Sequence, residues 1–184
     1  MNTHLPLLVL IALLSLPSCA SKPVTSNSQP LPAEALLKSP HCGATTHSTA
    51  AIWISDLQSL EQQSSGFTSS RVTGKDDLRD QLDLAEASPL SAALNQVDFA
   101  NYGVLLVSMG RQPTAGYGLG FESGSAQLKD GTLEVTLSWA QPMPGYFVAQ
   151  MLTSPCVLLK LPALRFRKIR VLDQKGQLRV EATR

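Results

Sequence analysis

The clearest pattern along the chain is a period of two. In "TLEVTLSW", Leu133, Val135, Leu137 and Trp139 fall on one face, with Thr132, Glu134, Thr136 and Ser138 on the other. That alternation predicts a strand with one face buried and one wet. Asp130-Gly131 just before it predicts a tight hairpin turn. "YGVLLVSM" is apolar without alternation, as expected for a central strand covered on both faces. "AAIWIS", "YGLGF", "FVAQMLT", "VLLKL", "KIRVL" and "QLRVE" predict further short strands, the last two joined by a "DQKG" turn. Helical spacing is rarer. Pro89 suits a first helical position, and Leu90, Ala93, Leu94 and Val97 follow at helical intervals, so a short helix is expected from Pro89 to about Gln96. "GKDDLRDQLDL" suits a second, and "DLQSLEQQSSGF" is compatible with a helical turn or a loop. These elements predict a mainly β fold, an antiparallel sandwich or barrel-like domain with one or two short helices.

The N-terminal apolar run, residues 5–16, does not belong to that fold. Its 12 residues are too few for a bilayer span, which needs about 20, and suit an export signal. It ends in "LPSC", a small residue directly before a cysteine, which resembles a lipobox. The expectation is a signal peptide at 1–18 and lipidation at Cys19. Ala20 after that cysteine resembles the pattern of lipoproteins sent to the outer membrane, on its periplasmic side. Residues 21–40 mix Pro23, Pro30, Pro32 and Pro40 with Ser, Thr, Asn and Gln, which predicts a flexible tether over 19–45. The folded domain is then expected over 46–184.

With Cys19 lipidated, Cys42 and Cys156 remain. Two thiols in an oxidising compartment are expected to pair. A metal site from His41, Cys42 and His47 would supply three ligands where structural zinc takes four. A net charge of +1 gives no footprint for nucleic acid. Catalytic signatures are thin: the mature chain holds only His41 and His47, and no nucleophile-elbow, P-loop or zinc-protease motif. No enzyme activity and no cofactor is expected. Arg165, Arg167, Lys168 and Arg170 read as solvated strand ends, with docking to anionic lipid or an acidic partner as the sharper alternative.

"MGRQPTAGYGLGF" is the stretch with the most unusual chemistry. Pro113-Thr114 can occupy the centre of a type I turn, and Gly116 can follow at positive φ. In the strand that follows, Tyr117, Leu119 and Phe121 share a face and Gly118 and Gly120 leave the other bare. A bare strand face usually marks a close approach. Trp139 is the internal candidate to cover it and a partner's chain the external one.

Val97-Asp98-Phe99, Gly110 with "PTAGY", "LEVTL", "PMPG" and "LTSPCVLLKLP", in this order, resemble the C-terminal domain of PrcB-type proteins. That family is named for the lipoprotein subunit of a bacterial surface protease complex. The family turn often reads P-T-G-G-Y, which falls on Pro113, Thr114, Gly116 and Tyr117, with Ala115 in place of a glycine. Its later P-x-P-G falls on Pro142, Pro144 and Gly145. The resemblance implies a non-catalytic envelope lipoprotein, membrane-bound through its lipid, that binds or supports a protein partner, a protease being the partner class it suggests. The residues expected to touch that partner are Arg111, Pro113, Thr114, Gly116, Tyr117, Pro144 and Gly145, with Arg111 and Tyr117 as anchors. A second likeness, to chagasin-type cysteine-protease inhibitors, rests on "RQPTAGY", but their R-P-W loop is missing here.

Overall fold

The computed structural model describes residues 28–42, 49–56, 68–69 and 89–183. The signal segment, Cys19, His47 and the predicted second helix lie outside these residues.

The chain enters as β1 (Ser28–Pro30) and β2 (Glu34–Ser39), followed by β3 (Ala50–Ile54) and β4 (Thr68–Ser69). One helix, α1 (Pro89–Leu94), precedes β5 (Tyr102–Ser108), β6 (Gly118–Gly120) and β7 (Ala126–Lys129). The long β8 (Thr132–Ala140) is followed by β9 (Cys156–Pro162), β10 (Lys168–Asp173) and β11 (Leu178–Thr183). Two sheets result. One runs β1-β7-β8-β10-β11-β4, with β6 alongside β8; the other runs β2-β9-β5-β3. The fold is therefore an open sandwich and not a closed barrel.

The alternation in β8 sets the core. Leu133, Val135, Leu137 and Trp139 face inward and meet Leu105, Val107, Leu159 and Leu161 from the opposite sheet. Asp130 (φ 49°) and Gly131 (φ 74°) make the left-handed hairpin turn expected between β7 and β8. The unbroken apolar runs have a different cause. β5 and β9 are central in the smaller sheet, and their other face, with Val104, Leu106 and Leu158, packs on Leu90 and Leu94 of α1. Both faces are covered, so neither can be polar.

Three expectations need correction. The segment read as tether is ordered from Ser28: Gln29 pairs with Leu128, Leu37 with Leu158, and Leu31 is buried in the core. The domain therefore starts well before residue 46. Prolines signal a non-helical chain, and an edge strand accepts Pro because only one side of it is paired. "FVAQMLT" is not a strand; none of residues 147–152 joins a ladder. Finally, the sheets are not wholly antiparallel, because β8 and β10 run parallel, Lys168 beside Thr132 through Asp173 beside Leu137.

Among the described residues, the buried charged side chain is Asp173, at the β10–β11 turn. Asp173 accepts the backbone N–H groups of Lys175 and Gln177 and the guanidinium of Arg179. Burial alone would raise its pKa, but these hydrogen bonds and the Arg179 charge hold it below the ordinary 3.8. A depressed folded-state pKa contributes stability above the unfolded value and loses it as pH falls through the folded one. The stability gap between wild type and Asp173→Asn, read from urea midpoints, is expected to be open at pH 7 and to close as pH falls below 3.8 and through the depressed folded-state value.

Gly103 is fixed by packing. A Cβ there would overlap the Trp53 indole, reaching within 2.7 Å of its Cη2. Trp53 is buried and sits edge-on against Phe166 with centroids 4.9 Å apart, so displacing it disturbs the core. Gly103→Ala is expected to cost about 3 kcal/mol or to prevent folding, by urea denaturation.

Candidate functional site

Both loops singled out in the sequence lie at one end of the sandwich. Loop 109–117 leaves the end of β5 and returns as β6. Loop 141–155 leaves the end of β8 and crosses to β9 in the other sheet. They are joined along their length. Gln112 and Thr153 exchange backbone hydrogen bonds of 2.8 and 3.0 Å. The Thr153 hydroxyl donates to the Thr114 carbonyl at 3.1 Å, and the Ala115 N–H to the Ala149 carbonyl at 3.0 Å. Gly116 adopts φ +90°, and a Cβ there would press on Pro142 at 3.2 Å and Val148 at 3.6 Å. The positive-φ turn expected at 113–116 is present, and its glycine also lets the second loop lie close.

The base of this pair is covalently held. Cys42 and Cys156 form the expected disulfide, with Cα atoms 5.9 Å apart and a sequence separation of 114. Cys42 N–H donates to Ser154, Ser154 N–H to Pro40, and Met109 N–H to Pro155. The bridge therefore ties the incoming chain to the foot of both loops.

The predicted contact residues do not share one environment. Arg111, Pro113, Gly116, Pro144 and Gly145 are exposed, whereas Thr114 is half-buried under Thr153. Tyr117 is half-buried and packs on the main core with Phe121. It holds the turn to the body and is poorly placed as an exposed anchor. The bare face of β6 is also not covered by Trp139. Trp139 lies opposite Leu119 and points inward with it, while Gly118 and Gly120 lie beside Ala140 and Ser138 on the outer face. Added Cβ atoms would sit 3.9 Å from Ala140 at Gly118 and 3.2 Å from Ser138 at Gly120. Gly120 is thus explained by a tight cross-strand fit.

The site contains apolar residues outside the predicted contact set. Met143, Tyr146, Phe147, Met151 and Leu152 are all exposed, Phe147 fully so at 107% of its reference area. Phe147, Met151 and Leu152 belong to "FVAQMLT", which the sequence pattern predicts as a strand, while Met143 and Tyr146 lie in and beside the P-x-P-G turn. The available signal was their setting, between Pro142, Pro144 and Gly145 on one side and Pro155 on the other.

At the opposite end, a concavity of about 280 Å³ is lined by Trp53, Phe99, Tyr102, Leu164 and Arg165. The basic residues nearby are engaged on the strand surface: Lys168 pairs with Glu181 at 2.9 Å and Arg170 with Glu134 at 2.8 Å. Among the described residues, no group of three His, Cys, Asp or Glu could hold a metal. Among the same residues, no helix is long and apolar enough to cross a membrane.

Residues 104–162 match the PrcB C-terminal family. No curated protein and no solved structure matches the chain. The PrcB C-terminal match begins in β5 and ends with β9, so both loops, their hydrogen-bonded seam and Cys156 fall inside it.

Removing the bridge is expected to destabilise the domain by about 2–4 kcal/mol, since it closes a loop of more than 100 residues in the unfolded chain. Comparing urea midpoints of wild type with Cys42→Ala plus Cys156→Ala measures this.

Proposed function

We propose that this protein is a tethered, non-catalytic envelope lipoprotein whose domain binds a protein partner through the paired loops 109–117 and 141–155. The observation that carries this reading is the seam between them. Backbone hydrogen bonds at Gln112–Thr153 and Ala115–Ala149 weld two loops into one surface, and a disulfide braces its foot. A simple turn between β5 and β6 has no need of a second loop along its length. Ordering such a surface before binding lowers the entropy lost on association.

The PrcB C-terminal match favours a protease complex as the setting. In this reading Cys19 carries the lipid, the domain faces the periplasm from the outer membrane, and Arg111, Pro113, Pro144 and Gly145 contact the partner. Thr114 and Tyr117 shape the surface from below, and Gly116 supplies its turn.

The inhibitor reading is favoured by two neighbouring loops at one end of a sandwich. It is weakened by Trp53 and Trp139, which are 4% and 7% exposed, so neither stands on a loop to enter a cleft.

Arg111→Ala plus Pro113→Ala alters only exposed positions and should leave the fold intact. Retention of the partner in an envelope pull-down is expected to fall about tenfold. Identical retention by wild type and the folded double variant would remove loop 109–117 from the mechanism.

A further inference from the structure

Loop 141–155, "QPMPGYFVAQMLTSP", contains no charged residue, and loop 109–117 adds only Arg111. Its exposed side chains, Met143, Tyr146, Phe147, Met151 and Leu152, present on the order of 600 Å². Large apolar side chains exposed to that extent on one loop mark a contact with another molecule. Three occupants are conceivable: a membrane, a second copy, or a protein with a matching cavity.

Topology and chain length argue against the anchoring membrane. Ser28 pairs with Lys129 beside the Asp130–Gly131 turn, at one end of β8, whereas the loop leaves the other end after Ala140. The eight steps from Thr132 to Ala140 separate these ends by about 26 Å, and the loop projects beyond them. Nine residues lead from Cys19 to Ser28, and fully extended they reach about 30 Å. With the lipid at Cys19, the loop could meet the same membrane only with that segment nearly fully extended. The basic side chains Lys129, Arg165 and Arg167 lie at the Ser28 end, the end suited to anionic headgroups.

Shape argues against a symmetric, tip-to-tip second copy. Phe147 is more exposed than its reference value, which places it at the tip of a projection. Two convex tips bury little of each other. A projection needs a concavity, and an uncharged apolar one needs a cavity with the same character.

We infer that loop 141–155 is a wedge for a concave, apolar cleft on a protein partner, presented away from the anchoring membrane with Tyr146 and Phe147 as the inserted side chains. Met143, Met151 and Leu152 form the apolar shoulders, adaptable in the case of methionine. Arg111 stands at the rim. This inference rests on the proposed function and names the chemistry of its partner.

The test is photocrosslinking in cells with full-length lipidated protein, carrying a benzophenone amino acid at Phe147, at Arg111 or at Arg165. Phe147 is fully exposed, so its replacement leaves the fold intact. The expected result is a discrete protein adduct from position 147, mapping by mass spectrometry to an apolar cleft of the partner, and lipid adducts from position 165. A partner so identified is expected to bind purified Phe147→Ser at least tenfold more weakly than wild type. Lipid adducts from position 147, adducts to a second copy, or mapping to a charged flat surface would each overturn the inference. A protein adduct from Arg111 with none from Phe147 would leave the proposed function standing and remove the wedge. Absence of adducts from both positions would remove both.

Discussion

The parallel pairing of β8 with β10 governs the rest of the molecule. Parallel neighbours cannot be joined by a tight turn; the chain must leave one end of the sheet and come back at the other. Here it returns as β9, through the centre of the opposite sheet. That route makes β9 the strand linking the two layers, with one face on the sandwich core and the other on α1. It also creates an obligatory crossing between sheets at the end where β8 stops. Sheets pack about 10 Å apart, so three or four extended residues could make that crossing. The chain uses fifteen, 141–155, and the surplus is the exposed loop. The fold requires a connection at that place, and nothing in the fold requires one so long or so apolar.

Much of the architecture was legible because burial leaves a one-dimensional trace when each face has one environment. β8 alternates because its outer face is wet; β5 and β9 do not alternate because both faces are covered. The Asp130–Gly131 turn was legible because left-handed geometry narrows the choice of residues. Residues 28–39 were obscured because prolines and small polar residues serve an edge strand as well as a tether. What distinguishes the two is the partner strand, Lys129 to Gln127 for β1 and β9 for β2, and a partner is not a local property. Residues 147–152 failed in the opposite sense. Their apolar character was read correctly, yet apolarity reports a preference for cover and not that cover exists within the chain.

The candidate site divides along the same line. Pro113 and Gly116 were legible as turn residues, because their dihedral restrictions are intrinsic. Which loop would lie against the turn was not, since the Gln112–Thr153 seam joins positions 41 residues apart. Tyr117 illustrates the difficulty. An aromatic beside a glycine-rich turn looks like an anchor until Leu119, two positions on, is found facing the core, which turns Tyr117 the same way. The exposed aromatics lie across the seam, at 146 and 147.

The arrangement places stiffness where binding would need it. A loop of fifteen residues that folds only when it meets a partner loses chain entropy at that moment, and its affinity falls accordingly. Here the wedge is held at several points before contact. Ala149 is fixed by Ala115, Thr153 by Gln112 and Thr114, and Ser154 by Pro40 and Cys42. Ahead of these points, Met143 to Phe147 carry the Tyr146-to-Met143 turn hydrogen bond at 3.2 Å. The loop is thus pinned at its foot and along one flank and left adjustable at its tip. A rigid base sets the direction of approach, while a tip built on that turn lets two aromatic rings settle into a cavity of unlike detail. The disulfide extends this logic to the incoming chain. By joining Cys42 to the first residue of β9, it keeps the foot of the wedge in place against the same chain that leads back toward Cys19.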